Sequence, residues 1–260
     1  MRKIILVLTF SIAFVGCATE TSKNTQSNTT AKNTAENTAS NFNVNKSAET
    51  TAQPMLKGEK IEKPLEVKFE SSGLPTDWKK VDTNKEKPAE FDTSGGVLRL
   101  KIPGGTDLFG ARQNAPRLLK PIAGDFEIET KVKFAPKSDY QGAGILVFNN
   151  EKNFLRFERG FGGIDGGGSG VRFDKSVSGD YSAVSGTEQN PTESGEVELK
   201  LVRDGKEFIA FMRENIDSEW KEVGTFETDY PETVQVGIIG ISTAEEITAE
   251  FAYIRIMPIK

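Results

Sequence analysis

The chain of 260 residues contains no histidine and a single cysteine, Cys17. Without histidine there is no Ser-His-Asp or Cys-His nucleophile pair, no His-ligated zinc or iron, and no imidazole general base. Catalysis would fall to carboxylates, Lys, Tyr or Ser. One cysteine excludes an internal disulfide, a thiolate metal cluster and a redox pair. No long segment repeats at the helical period. Basic excess is missing too, since 33 Lys and Arg stand against 38 Asp and Glu. That balance argues against a nucleic-acid partner.

The lone cysteine is explained by its neighbours. "MRKIILVLTFSIAFVGCATETS" has a basic start at Arg2 and Lys3, an apolar run from Ile4 to Val15, then Gly16-Cys17. The run is too short for a membrane span, which needs about 20 apolar residues, and it has the three-part form of a secretory signal. Phe14-Val15-Gly16-Cys17 resembles the lipobox of bacterial lipoproteins, in which the signal is cut before the cysteine and the thiol is lipidated. The expectation is a signal peptide over residues 1–16 and a membrane anchor at Cys17. Loss of Arg2 and Lys3 with the signal leaves 31 cations against 38 anions, a formal charge of −7. Ala18 and Thr19 lack the Asp that retains many lipoproteins at the inner membrane. The expected location is therefore the cell envelope, and the outer membrane if the cell has two.

Residues 17–62 follow as a Thr/Asn/Ser-rich tract with Phe42 and Val44 as its sizeable apolar residues up to Pro54. It buries too little surface to offset chain entropy, so a disordered tether is expected, with a reach of roughly 35 Å. From Lys63 to the C-terminus the pattern becomes strand-like. "DFEIETKVKF" sends Phe126, Ile128, Val132 and Phe134 one way, and Glu127, Glu129, Lys131 and Lys133 the other. "RDGKEF" signals a hairpin turning at Asp204-Gly205. "GILVF" and "VGIIGI" are apolar on both faces, as central strands require. Roughly a dozen strands in residues 63–260 predict an all-β sandwich or barrel.

The glycine-rich run "GFGGIDGGGSGVRFD", Gly160 to Asp174, invites a cofactor reading. No Lys-Ser/Thr follows for a phosphate loop, and the dinucleotide spelling fails at Asp165. "DKSVSGD" approaches a calcium loop, but its twelfth place is Ser185 instead of Glu. No metal and no cofactor is assigned. The run reads as a strand-to-strand loop at the sheet rim, bordering the ligand-facing end near Tyr140, Phe154 and Arg156.

"GDFEIETKVKFAPKSDYQGAGILVFNNEKNFLRFERG" resembles the concanavalin A-like domains of the DUF1349 type and the similar C-terminal modules of family 43 glycosidases. Gly124, Asp125, Phe126, Phe134, Pro136, Tyr140, Gln141, Ala143, Gly144, Ile145, Asn153, Phe154, Phe157 and Glu158 carry the resemblance. An extra Gly142 interrupts it. The resemblance implies a concanavalin A-like jelly-roll β-sandwich of two antiparallel sheets, from a superfamily of lectins, carbohydrate modules and glucanases.

A glycosidase needs two carboxylates about 5 to 5.5 Å apart if it retains configuration. Glu127 and Glu129 share a strand face, but the strand continues Glu-x-Lys-x-Lys, which fits a solvated face with cross-strand charge pairs. No catalytic residue is assigned. A sugar site needs aromatic surfaces and planar polar groups. In "NFLRFERG" one strand face holds Phe154, Arg156 and Glu158, with Asn153 at its start; Tyr140 and Gln141 precede the adjacent strand. These six are the candidate ligand-binding residues, for a glycan or polysaccharide. The alternative makes Phe154 core and Arg156–Glu158 a structural ion pair. Trp78 and Trp220 read as packing residues. Three classes remain: a membrane-anchored carbohydrate-binding lipoprotein, a structural or assembly protein of the envelope without a sugar ligand, and third a carboxylate-based glycosidase.

Overall fold

The alternating segments do form strands. The structure, a computed structural model, describes residues 56–69, 73–164 and 166–259. Cys17, the signal-like segment and the Thr/Asn/Ser-rich tract up to residue 55 lie outside the described residues. Among those described there is no helix. In chain order the strands are β1 (Glu59–Lys60), β2 (Leu65–Lys68), β3 (Lys79–Val81), β4 (Glu90–Asp92), β5 (Leu98–Ile102) and β6 (Leu108–Phe109). Next come β7 (Arg112–Gln113), β8 (Arg117–Ala123), β9 (Phe126–Lys133), β10 (Gln141–Asn150), β11 (Asn153–Phe161) and β12 (Ser169–Val177). The last six are β13 (Asp180–Ser185), β14 (Glu196–Asp204), β15 (Glu207–Arg213), β16 (Lys221–Glu227), β17 (Thr233–Ser242) and β18 (Ile247–Met257).

Two large sheets make a sandwich. The first runs β1-β8-β17-β10-β11-β12-β13 with β3 also on β8, and the second runs β16-β15-β14-β9-β18-β5-β4 with β2 also on β18. Neighbours distant in sequence, such as β10 beside β17, are the crossovers that close a jelly roll. The ladders are antiparallel except for β1, which pairs with β8 in parallel, just ahead of Lys63. "GILVF" and "VGIIGI" lie in β10 and β17 at the centre of the first sheet, where both faces are covered and both need apolar side chains. β14 and β15 form the Asp-Gly hairpin, with Gly205 at φ 58°.

Inward residues of both sheets form the main core, among them Ile145, Val147, Leu155 and Phe157 of the first and Ile128, Val132, Leu199 and Leu201 of the second. Each such side chain contributes about 1.5–3 kcal/mol by leaving water. Alternation is broken by bulges: Phe251 and Ile254 both point into this core, because a register shift between them adds a residue to β18, and Val223 and Phe226 do likewise where a shift adds a residue to β16. Trp78 is buried in the core, whereas Trp220 is half-buried on the surface between Lys200 and Arg213, each 4.4 Å away.

The outer face of the first sheet is also covered. Leu108 and Ala115, from the segment carrying the β6–β7 hairpin, pack on Leu119, Leu146, Phe148, Phe154, Ile239 and Ile241. Reciprocal backbone bonds between Thr106 and Ser242, at 2.8 and 3.2 Å, pin that segment to the end of β17. This cover creates the setting for the site.

Candidate functional site

β11 and β12 carry the same spelling, Arg-Phe-acid: Arg156-Phe157-Glu158 and Arg172-Phe173-Asp174. They pair antiparallel with Phe157 opposite Phe173, so Arg156 stands opposite Asp174 and Glu158 opposite Arg172. The two phenylalanines meet edge-on inside the core at 5.9 Å. The four charges form a checkerboard on the outer face. Arg172 Nη2 donates to Glu158 Oε2 at 3.0 Å, Arg172 Nε lies 3.1 Å from Asp174 Oδ2, and Arg156 Nε lies 3.7 Å from Glu158 Oε2. All four side chains are buried, Glu158 completely.

Two further residues complete the cluster. Asp107, from the covering segment, accepts from Arg156 Nη1 at 3.3 Å and from the Leu108 amide at 2.7 Å. Tyr181 of β13 donates to Asp174 Oδ2 at 2.6 Å and accepts from Arg156 Nη2. Burial by itself would depress the Arg156 pKa, but Tyr181, Glu158, Asp174 and Asp107 outweigh it and hold the guanidinium above its ordinary value. Burial pushes the Tyr181 phenol well up, against the pull of Arg156. Arg156 is therefore a cation and Tyr181 a neutral phenol at neutral pH.

Glycine makes the room. A Cβ on Gly142 of β10 would lie 2.8 Å from Glu158 Oε2 and 3.0 Å from Arg172 Nη2. The interruption at Gly142 thus lies where the buried pair needs space. The glycine-rich run is partly strand: Gly160 and Phe161 end β11, and Ser169 onward is β12, which leaves residues 162–164 and 166–168 as loop. That loop packs on the cluster, with Arg172 Nη1 donating to the Gly162 carbonyl at 3.3 Å. The calcium-like spelling has a different use. Asp174 is spent on Arg172 and Tyr181, and among the described residues no group of three acidic side chains is placed to hold a metal.

Above the cluster lies a cleft of about 430 Å³. Its floor is Asp107 and Arg156, and its walls include Phe109, Tyr140 and Tyr181. Phe109 is 50% exposed and Tyr140 44%. Phe109 meets Tyr181 edge-on at 5.4 Å. Arg112, Ile164 and Thr243 complete the rim. Ile164 belongs to the glycine-rich run, so the run does border the same cleft as Tyr140 and Arg156.

The six sequence candidates divide. Tyr140 and Arg156 line the cleft. Gln141 is fully buried and clamps the loop that presents Tyr140: its Oε1 accepts from the Lys137 and Ser138 amides at 2.8 and 3.2 Å, and its Nε2 donates to Ser242 Oγ at 3.3 Å. Tyr140 itself has φ 61°, a left-handed conformation sustained by this clamp. Glu158 lies behind Arg156 in the buried cluster. Phe154 is core, under the Tyr181 ring at 6.2 Å, and does not line the cleft. Asn153 begins β11 at the end remote from Gln141, where its Oδ1 accepts from the Ser178 amide at 2.9 Å and its Nδ2 donates to Asn150. Asp107, Phe109, Arg112, Tyr181 and Thr243 were not legible as site residues. The doubled Arg-Phe-acid spelling is the signal that points to the buried cluster.

The acidic pair Glu127 and Glu129 lies on β9 of the second sheet. Burial, with Glu127 beside it, pushes the Glu129 carboxyl up, the direction a general acid needs. Arg255 nevertheless donates to it at 3.2 Å, and the cleft is on the other sheet.

Among solved structures, the chain resembles the GH43 protein BlXynB from Bacillus licheniformis with a TM-score of 0.60 and 19% identity, over 75% of this chain and 39% of that one. Xylan β-1,4-xylosidase from Bacillus halodurans C-125 gives 0.59 and 19%, over 79% and 41%. Lectin II from Ulex europaeus gives 0.51 and 14%, over 76% and 98%. The chain therefore spans about two-fifths of those two enzymes, and the likeness is one of fold. No curated protein matches the sequence. A family model described as a protein of unknown function, DUF1349, matches residues 85–259. With that match over more than half its length, on a concanavalin A-like sandwich, the chain belongs to the DUF1349 family.

Proposed function

We propose that this protein is a lipid-anchored envelope protein, tethered through Cys17, whose sandwich binds a glycan without cleaving it. The observation that carries the reading is the cleft itself. Two exposed aromatic rings, Phe109 and Tyr140, flank a floor in which Arg156 is held by Asp107, Tyr181 and Asp174. Aromatic faces give a sugar ring contact area, and a guanidinium fixed in place orients its hydroxyls.

The carboxylates favour binding over hydrolysis. Glu158 and Asp174 are buried and paired with arginines, and Asp107 is paired with Arg156. A general acid must reach the glycosidic oxygen and change its protonation state. These groups are committed to cations instead.

The test is affinity electrophoresis of the full chain in detergent, through gels containing xylan, β-glucan, mannan, galactan or pectin. Retardation by at least one of them is expected, without release of reducing sugar, and its loss in Phe109→Ala/Tyr140→Ala. Unretarded migration in every gel would overturn the reading.

A further inference from the structure

The cleft has neighbours on the same face. A second depression, about 220 Å³, shares Phe109 and Tyr181 with it and continues to Lys152, Ser176 and Gly179. A third, about 550 Å³, shares Glu151 and Lys152 with the second and reaches Arg117, Phe148, Asn149 and Gln235. Each depression thus borrows a wall from the one before it. The series passes around the tip of the β6–β7 hairpin.

We propose that the three depressions form one extended groove that takes an internal stretch of a linear polysaccharide, with the third acting as a far subsite. This rests on the glycan reading of the cleft. A site for one terminal sugar needs a single depression, whereas three in series fit successive units of a chain. The boundary between the first two is Phe109, half exposed and braced edge-on by Tyr181, so it presents an apolar saddle for a ring to cross.

The far depression has suitable chemistry of its own. Gln235 of β17 is in register with Phe148 of β10, which sets an amide beside an aromatic ring on the outer face. The Arg117 guanidinium lies 5.1 Å from the Phe148 ring centre. Arg117 is 6% exposed; its Nη1 donates to the Ala115 and Gln113 carbonyls at 2.9 and 3.4 Å, while Nε has no hydrogen-bond partner among the described residues. With Asn149 beside them, these groups offer planar donors and acceptors to vicinal hydroxyls.

Calorimetric titration of the full chain in detergent with xylo-, cello-, manno- and galacto-oligosaccharides of two to six units tests the idea. In the series that binds, affinity should rise by about tenfold or more from the dimer to the hexamer. Asn149→Ala/Gln235→Ala should bring the hexamer down toward the dimer and leave the dimer and the melting temperature unchanged. Equal affinity for dimer and hexamer, or a double variant that binds the hexamer like the parent, would overturn the groove and leave the cleft intact. Failure of every series to bind would overturn the glycan reading and the groove with it.

Discussion

The Tyr181 hydroxyl donates to Asp174 at 2.6 Å while accepting from Arg156, so one phenol from the edge strand β13 closes a charge cluster built on β11 and β12. Tyr181→Phe keeps the ring against Phe109 but leaves a buried carboxylate and a buried guanidinium each short of a partner. The expected loss is about 1–3 kcal/mol in urea unfolding. An unchanged midpoint would show that the hydroxyl is replaceable by water.

Glu158 is the centre of the checkerboard, fully buried, with Arg172 at 3.0 Å and Arg156 at 3.7 Å. Glu158→Gln preserves shape and removes the charge that both arginines face. Breaking a buried ion pair from one side costs about 3–5 kcal/mol. The double variant Glu158→Gln/Arg172→Met should recover part of that loss. Additive losses would contradict the direct pairing.

Glycine substitutions separate packing from slack. Gly144→Ala would place a Cβ 2.1 Å from the Phe157 carbonyl oxygen on the adjacent strand and is expected to prevent folding. Gly142→Ala pushes on the ends of the Glu158 and Arg172 side chains and should cost about 1–3 kcal/mol. Gly168→Ala meets open space and should stay within about 0.5 kcal/mol of the parent. Thermal melts of the three rank them, and a costly Gly168→Ala would refute the description of the loop.

Alkaline pH should destabilise the protein. Burial raises the Tyr253 phenol from 10.0 to about 12, and it also raises Tyr230 and Tyr181. A folded-state pKa above the unfolded value gives stability that is complete below pH 10 and declines as pH climbs toward 12. Phenolate absorbance from these three should therefore appear together with unfolding. Titration of Tyr181, Tyr230 and Tyr253 near pH 10, with the fold intact, would contradict this.

The anchor has a direct test. Metabolic labelling with palmitate should mark the protein and fail for Cys17→Ser, which should leave the membrane fraction. Equal labelling of both forms would remove the anchor from the proposal.

Much of the fold was readable because alternation is a local property. Phe126, Ile128, Val132 and Phe134 had to share a face, whatever they packed against. The β18 bulge escaped this logic, since one added residue changes no composition and only shifts phase between Phe251 and Ile254. Of the candidate site, Tyr140 and Arg156 were found because they belong to segments with an unusual spelling. Phe154 lies beneath Tyr181, outside the cleft and in the wall of the second depression, because alternation tells which face a residue occupies and not which segment covers it.

By itself, then, the sequence determined an all-β fold, sandwich or barrel, ruled out histidine chemistry, internal disulfides and thiolate metal clusters, and marked the polar face of β11. Those conclusions follow from residue type and short-range periodicity. Tertiary structure decided that Arg156 and Glu158 meet Arg172 and Asp174, and that the segment around Asp107 and Phe109 folds over them. Such relations depend on strand register and on contacts between residues far apart in sequence, as between Thr106 and Ser242, 136 positions apart. No local pattern encodes them, because the same alternation is compatible with many pairings and only the packed whole selects one.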